Sequence, residues 1–107
     1  FAEAEAGATG LELLLPLLLK WAQQGKSSLP DAIAKVTVNP ARILNIDAGH
    51  LSPGVAADIC IFDPERYWKV EAAALKSQGK NTPFLGMELQ GKVRYTLVNG
   101  QIVYQAT

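Results

Sequence analysis

Histidine occurs once in these 107 residues, as His50, and cysteine once, as Cys60. A metal centre built largely from histidines cannot therefore be assembled from this chain alone, since catalytic zinc takes about three protein ligands and structural zinc four. A lone cysteine excludes an intrachain disulfide, in keeping with a reducing cytoplasm. Charge of one sign is also lacking. Ten basic and ten acidic residues are interspersed and sum to zero, so no field gathers nucleic acid or an anionic membrane, and a small neutral or anionic metabolite is the more natural partner. No apolar run reaches the ~20 residues of a bilayer-spanning helix. The longest, Leu11 to Ala22, is interrupted by Glu12, Pro16 and Lys20. No basic region precedes an apolar run, so a signal peptide is not indicated. Internal repeats and low-complexity segments are absent too. The chain opens on Phe1 instead of methionine, as a processed product or a fragment would.

What is present divides into two halves of different period, meeting around Ile46 to Gly54. Thr9 and Glu12 have the spacing of a capping box, which starts a helix near Gly10. Along that helix leucines and Trp21 fall on nearly every face, where a surface helix would show one stripe. Such a helix needs apolar cover on several sides. Pro16 should bend it and Gly25 should end it. A second helix is expected from Pro30 to about Val36, with Ile33 and Val36 facing inward, and a third short one from Asn39-Pro40 through Leu44. Beyond Gly54 the pattern is that of strands: Asp58 to Phe62, stopped by Asp63-Pro64, then Tyr67 to Val70, Val93 to Val98 and Gln101 to Tyr104. Asn99-Gly100 between the last two is a strong hairpin signal, because both positions accept positive φ. Glu71 to Lys76 is expected to make a turn or two of helix, ending by Gly79.

Two motifs carry a family resemblance. Asn39-Pro40-Ala41-Arg42-Ile43-Leu44, then Gly54 and Ala57-Asp58-Ile59-Cys60-Ile61-Phe62-Asp63, resembles the amidohydrolase superfamily where the last barrel helices lead into an appended β-sandwich. Asn81-Thr82-Pro83-Phe84 with Gly86 is narrower and is similar to bacterial dihydroorotases of the long, sandwich-bearing type. The opening, Phe1 to Glu12, resembles the segment that follows the catalytic aspartate loop of those enzymes. A barrel of ~250 residues does not fit in this chain. The resemblance therefore implies an α+β fragment: residues 1–46 as terminal helices of a (β/α)8 barrel, and residues 47–107 as part of a mostly antiparallel β-sandwich.

The implied activity is that of a cytoplasmic dihydroorotase, which interconverts N-carbamoyl-L-aspartate and L-dihydroorotate in pyrimidine biosynthesis. In that family zinc activates a water and an aspartate moves its proton. The resemblance assigns the zinc ligands and that aspartate to the upstream part of the protein, and no catalytic or metal-binding residue to this chain. It implies as partners the upstream barrel portion, a small-molecule substrate, and a second copy or aspartate transcarbamoylase; nucleic acid and membrane are not among them. Two alternatives stay open. One is a non-catalytic dihydroorotase-like subunit that partners aspartate transcarbamoylase; the other is another cyclic amidase such as a hydantoinase, which Asn81-Thr82-Pro83-Phe84 disfavours.

Ala6 and Gly7 match the loop through which the family touches substrate by its main chain. Glycine there would let backbone approach a ligand closely; the alternative is that Gly7 only shapes the lead-in to the helix. Other reactive residues are expected to be structural. His50 reads as an exposed loop residue, Cys60 as a buried small apolar residue, and Asp58 and Asp63 as turn or backbone caps. Lys20 is expected in solvent, Arg42 paired with a carboxylate, and Trp21, Trp68 and the tyrosines in packing.

Overall fold

The computed structural model describes Ala8 and residues 10–106. Leu11–Leu13 form a 3-10 turn that runs directly into helix α1, Leu14–Gln24. Helices α2, Leu29–Ala34, and α3, Val38–Leu44, follow. The remainder is an antiparallel sheet of β1, Ile59–Lys69, β2, Glu88–Val98, and β3, Gln101–Gln105, in that spatial order, with a 3-10 turn at Ala72–Ala74 between β1 and β2. The class is α+β, as expected.

Local chemistry accounts for the helix ends. The first helical segment begins after Gly10, and Thr9, half of the expected capping box, lies outside the described residues. Pro16 is the third residue of α1, where a backbone N–H has no intrahelical acceptor. The proline thus sits at a change of pitch, from 3-10 to α, in place of the expected mid-helix bend. Helix α1 stops at Gly25, whose N–H donates to the Trp21 carbonyl at 2.9 Å. Ser28 caps α2, its Oγ accepting from the Asp31 N–H at 3.2 Å. Ala32 is fully buried there, while Ile33 and Val36 are half-buried.

Asp63-Pro64 does not end a strand. Asp63 pairs with Lys92 and Tyr67 with Gln90, so residues 64–66 bulge opposite Gly91 and pairing resumes beyond them. A bulge suits proline, which has no donor to give the ladder. The Asp63 carboxylate accepts from the Glu65 N–H at 2.9 Å, and Gln90 Nε2 donates to the Glu65 carbonyl at 3.2 Å. One long strand therefore replaces the two expected.

The Asn99-Gly100 hairpin is found with φ of 49° and 77° at its two central residues. Asp58 fastens it to the start of β1: its Oδ1 accepts from the Asn99 N–H at 2.9 Å, and the Gly100 N–H donates to the Ala57 carbonyl at 3.0 Å. Asp58→Ala should remove about 1 kcal/mol of stability, a modest loss because the site is open to water, and Asp58→Asn should keep part of it. Denaturant midpoints would show the ordering.

The core is small. Leu13, Val70, Leu75 and Leu89 are buried, with Leu17, Trp68, Phe84 and Met87 packed against them. Leu19 and Ala22 of α1 are also buried, yet Leu14 and Trp21 of the same helix are about half exposed.

Candidate functional site

Ala6 and Gly7, the expected substrate-contacting residues, lie outside the described residues. Among the described residues that follow them in sequence, one side chain stands out. The Glu12 carboxylate reaches a loop distant in the sequence. Its Oε2 accepts from the Lys76 N–H at 2.6 Å and its Oε1 from the Ser77 N–H at 2.8 Å. Partial burial by itself raises the Glu12 carboxyl, but these amides, the Ser77 hydroxyl and the charge of Lys80 outweigh it and hold the carboxyl below its ordinary value. The ion is thus favoured over its state in the unfolded chain. Its stabilising contribution is present at neutral pH and is lost as pH falls through the lowered value.

The loop that receives Glu12 is fastened from its other end. Lys80 Nζ donates to the Leu75 carbonyl at 2.6 Å. Next comes the Asn81-Thr82-Pro83-Phe84 turn, in which the Thr82 hydroxyl, in a buried residue, accepts from the Phe84 N–H at 3.2 Å. The Gly86 N–H then donates to the Val70 carbonyl at 2.7 Å and the Met87 carbonyl accepts from the Val70 N–H at 2.8 Å. This motif shapes the core wall and offers no unsatisfied catalytic group.

A second polar cluster lies after α3. His50 Nε2 stands 2.6 Å from Asp47 Oδ1, where the ring nitrogen donates to the carboxylate. Nδ1 is buried without a partner among the described residues. The imidazole is half-buried, which corrects the exposed reading. The physical reason is Gly49, whose φ of +78° folds the loop onto Thr37 and Val38. Among the described residues, no three of His, Cys, Asp and Glu gather closely enough to hold a metal ion. The described residues do not fit a zinc centre.

The other candidates divide. Asp58 and Asp63 serve as backbone caps and Lys20 is exposed, as expected. Trp68 packs on the core and donates from Nε1 to the Gly91 carbonyl at 2.8 Å. Trp21 is instead exposed on one side, with Lys35 Nζ 6.0 Å from the ring centroid, and Tyr67 is 62% exposed. Cys60 is exposed, not buried, because β1 is an edge strand of a single sheet layer; partial burial still raises its thiol above the ordinary value. Arg42 takes part in neither ion pair found among the described residues, His50–Asp47 and Lys69–Glu71. Helix α3 contains no acidic residue to meet it. A mainly apolar cleft of about 410 Å³ lies between the first helix and the sheet, lined by Glu12, Trp68, Lys76, Lys92 and Tyr104 among others.

This geometry has known counterparts. The model of the amidohydrolase family matches residues 20–104. Dihydroorotases of Syntrophus aciditrophicus and Geobacter metallireducens are 49% and 46% identical over 105 residues, 98% of this chain and 25% of theirs. A dihydroorotase-like protein of Pseudomonas aeruginosa is 42% identical over the same shares. The chain thus spans about a quarter of the length of these relatives. Among solved structures, L-hydantoinase (dihydropyrimidinase) from Arthrobacter aurescens superposes with a TM-score of 0.84 at 33% identity, covering 95% of this chain and 23% of that one. A D-hydantoinase also gives 0.84, at 24% identity, which speaks to the fold alone, over 94% of this chain and 22% of that one. The chain belongs to the amidohydrolase family.

Proposed function

We propose that this chain is the carboxyl-terminal part of a cytoplasmic dihydroorotase, a cyclic amide hydrolase that interconverts N-carbamoyl-L-aspartate and L-dihydroorotate in pyrimidine biosynthesis. In this reading residues 1–46 are the last helices of a (β/α)8 barrel and residues 47–107 are part of the appended β-sandwich. The zinc centre and the proton-transferring aspartate belong to the upstream part of the protein. What this chain gives the site is the main chain of Ala6 and Gly7. A second copy of the protein or aspartate transcarbamoylase is the proposed larger partner.

The graded likeness carries the reading. Identity is 42–49% with dihydroorotases and the dihydroorotase-like protein, but 33% with an L-hydantoinase that superposes on this segment with a TM-score of 0.84. The name of the Pseudomonas aeruginosa relative supports a second reading, a dihydroorotase-like subunit without activity that serves aspartate transcarbamoylase. The two part on one measurement: turnover of L-dihydroorotate, with hydantoin as the competing substrate, by the full-length zinc-loaded protein. Dihydroorotate turnover is expected; none at all would favour the structural subunit, and a preference for hydantoin would favour the cyclic amidase alternative.

In an active parent, Gly7→Val tests the site contribution. A branched side chain where backbone must approach substrate should lower kcat/KM by about 10–100-fold, the scale of a small misplacement of reactants. Zinc content and melting temperature should stay within error of the parent. Equal loss of fold and activity would leave Gly7 only its helix lead-in role.

A further inference from the structure

The cleft between the first helix and the sheet joins two kinds of chemistry. Leu15 and Pro16 wall it from the helix, Trp68 and Val93 wall it from the sheet, and its volume of about 410 Å³ is that of a small-molecule site. The Trp68 ring is held in place by its Nε1 bond to the Gly91 carbonyl, so this wall is preformed. Lys76, Lys92, Thr96 and Tyr104 also line the cleft. Thr96 and Tyr104 stand opposite each other in the β2–β3 ladder and so share one face of the sheet. Among the described residues the ion pairs are His50–Asp47 and Lys69–Glu71, which leaves neither Lys76 nor Lys92 with a carboxylate of its own. Nor does a hydrogen bond among them occupy either ammonium or the Thr96 and Tyr104 hydroxyls.

The acidic groups that could compete for those lysines are engaged. Glu12, itself in the lining, gives one oxygen to the Lys76 N–H and the other to the Ser77 N–H. Asp63, opposite Lys92 in the β1–β2 ladder, accepts from the Glu65 N–H. We propose that the cleft binds a small aromatic anion, whose flat apolar body lies against Pro16 and Trp68 and whose charge is met by Lys76 and Lys92, with the Thr96 and Tyr104 hydroxyls as further donors. An ammonium is a compact charge with three rotatable donors, and an apolar wall beside it strengthens its pull on an anion relative to open water. The inference goes beyond the proposed function and holds whether or not the whole protein turns over dihydroorotate.

Ligand-observed NMR of the full-length protein with 2-naphthoate tests this. Binding is expected with a Kd of about 1 mM or tighter, the scale for a probe of this size. The neutral isostere 2-naphthamide should bind about tenfold more weakly, and raising the salt from about 50 to about 500 mM should weaken naphthoate but not naphthamide. Lys92→Met keeps the apolar stem and removes the charge, which should weaken naphthoate about fivefold; Lys92→Arg should stay within about twofold of the parent. The double variant Lys76→Met, Lys92→Met should bind naphthoate no better than naphthamide. Both lysines lack an ion pair among the described residues, so these variants should melt with the parent.

Equal affinity of the parent for naphthoate and naphthamide would overturn the proposal and leave an apolar crevice without charge recognition. Naphthoate binding that ignores the double lysine variant would place the probe elsewhere and overturn it too. So would the absence of any binding to the full-length protein, which would mean that the cleft is closed there. Tyr104→Phe removes one donor and keeps the ring, so it decides the matter even where a lysine variant fails to fold: affinity about threefold lower supports the site, and parental affinity refutes it.

Discussion

Gly49→Ala should cost the full-length protein about 2–6 kcal/mol, combining backbone strain of about 1–3 with overpacking of a similar size. The glycine has a φ of +78°, and a Cβ built on it would stand 2.6 Å from the Thr37 carbonyl carbon, 2.7 Å from its oxygen and 2.8 Å from the Val38 nitrogen. All three are backbone atoms at the start of α3, so no side chain can rotate away. Alanine would lever the 46–50 loop off that helix and break the setting of the His50–Asp47 pair. Gly91→Ala makes the useful comparison. Its φ of +107° is also forbidding, and its Cβ would run into Leu19 Cδ1, but that atom ends a flexible side chain. Gly49→Ala should therefore lower the melting temperature and soluble yield more than Gly91→Ala. The reverse order would show that the loop yields where α3 does not.

Expressed apart from the rest of the protein, the chain should associate, bind apolar dyes, and combine with a separately expressed upstream portion into a more stable complex. Its accessible surface is 7950 Å², against about 5,800 Å² for a compact protein of this mass. The radius of gyration is 15.5 Å, where about 13 Å is usual. The surplus includes Leu11 at 90% exposure, Ile43 at 84%, Leu51 at 78% and Leu44 at 69%. Covering a fully exposed side chain of this kind contributes about 1.5–3 kcal/mol, so a handful exceeds the whole stability of many domains. Light scattering and thermal melts with and without the upstream portion would measure it. A well-behaved monomer, indifferent to that portion and silent to dye, would refute the expectation.

The parts of the fold legible in the sequence were those fixed by neighbours along the chain. Asn99-Gly100 demanded positive φ at two successive residues and made its hairpin; Gly25 stopped α1 where expected. Asp58 and Asp63 bonded to backbone as short polar side chains beside turns do. What sequence pattern missed depends on contacts distant in the chain. Asp63-Pro64 looked like a terminator because nothing local shows that Gly91 waits opposite to accept a bulge. The first five residues of β2 went unread because Gly91 sits among them. Glu12 had the spacing of a cap, and nothing local shows that the Lys76 and Ser77 amides come to its carboxylate. The Asp47–His50 spacing of three was visible and could have signalled the pair. Ala6 and Gly7 were singled out by family resemblance alone.

The two-residue link at Asn99-Gly100 also bears on the order in which the sheet is assembled. Strands β2 and β3 are neighbours in sequence, and hairpins of that kind form within about 1–10 μs. Pairing β1 with β2 must first close the intervening segment that holds the Ala72–Ala74 turn and the Asn81-Thr82-Pro83-Phe84 motif, which carries a larger entropic penalty. The hairpin is thus the natural template and β1 the late arrival. Asp58, which bonds to Asn99 just ahead of β1, is the latch that closes behind it. During synthesis this order is enforced from the other direction, because β1 leaves the ribosome first and must wait, its apolar face uncovered, for the last residues of the sheet.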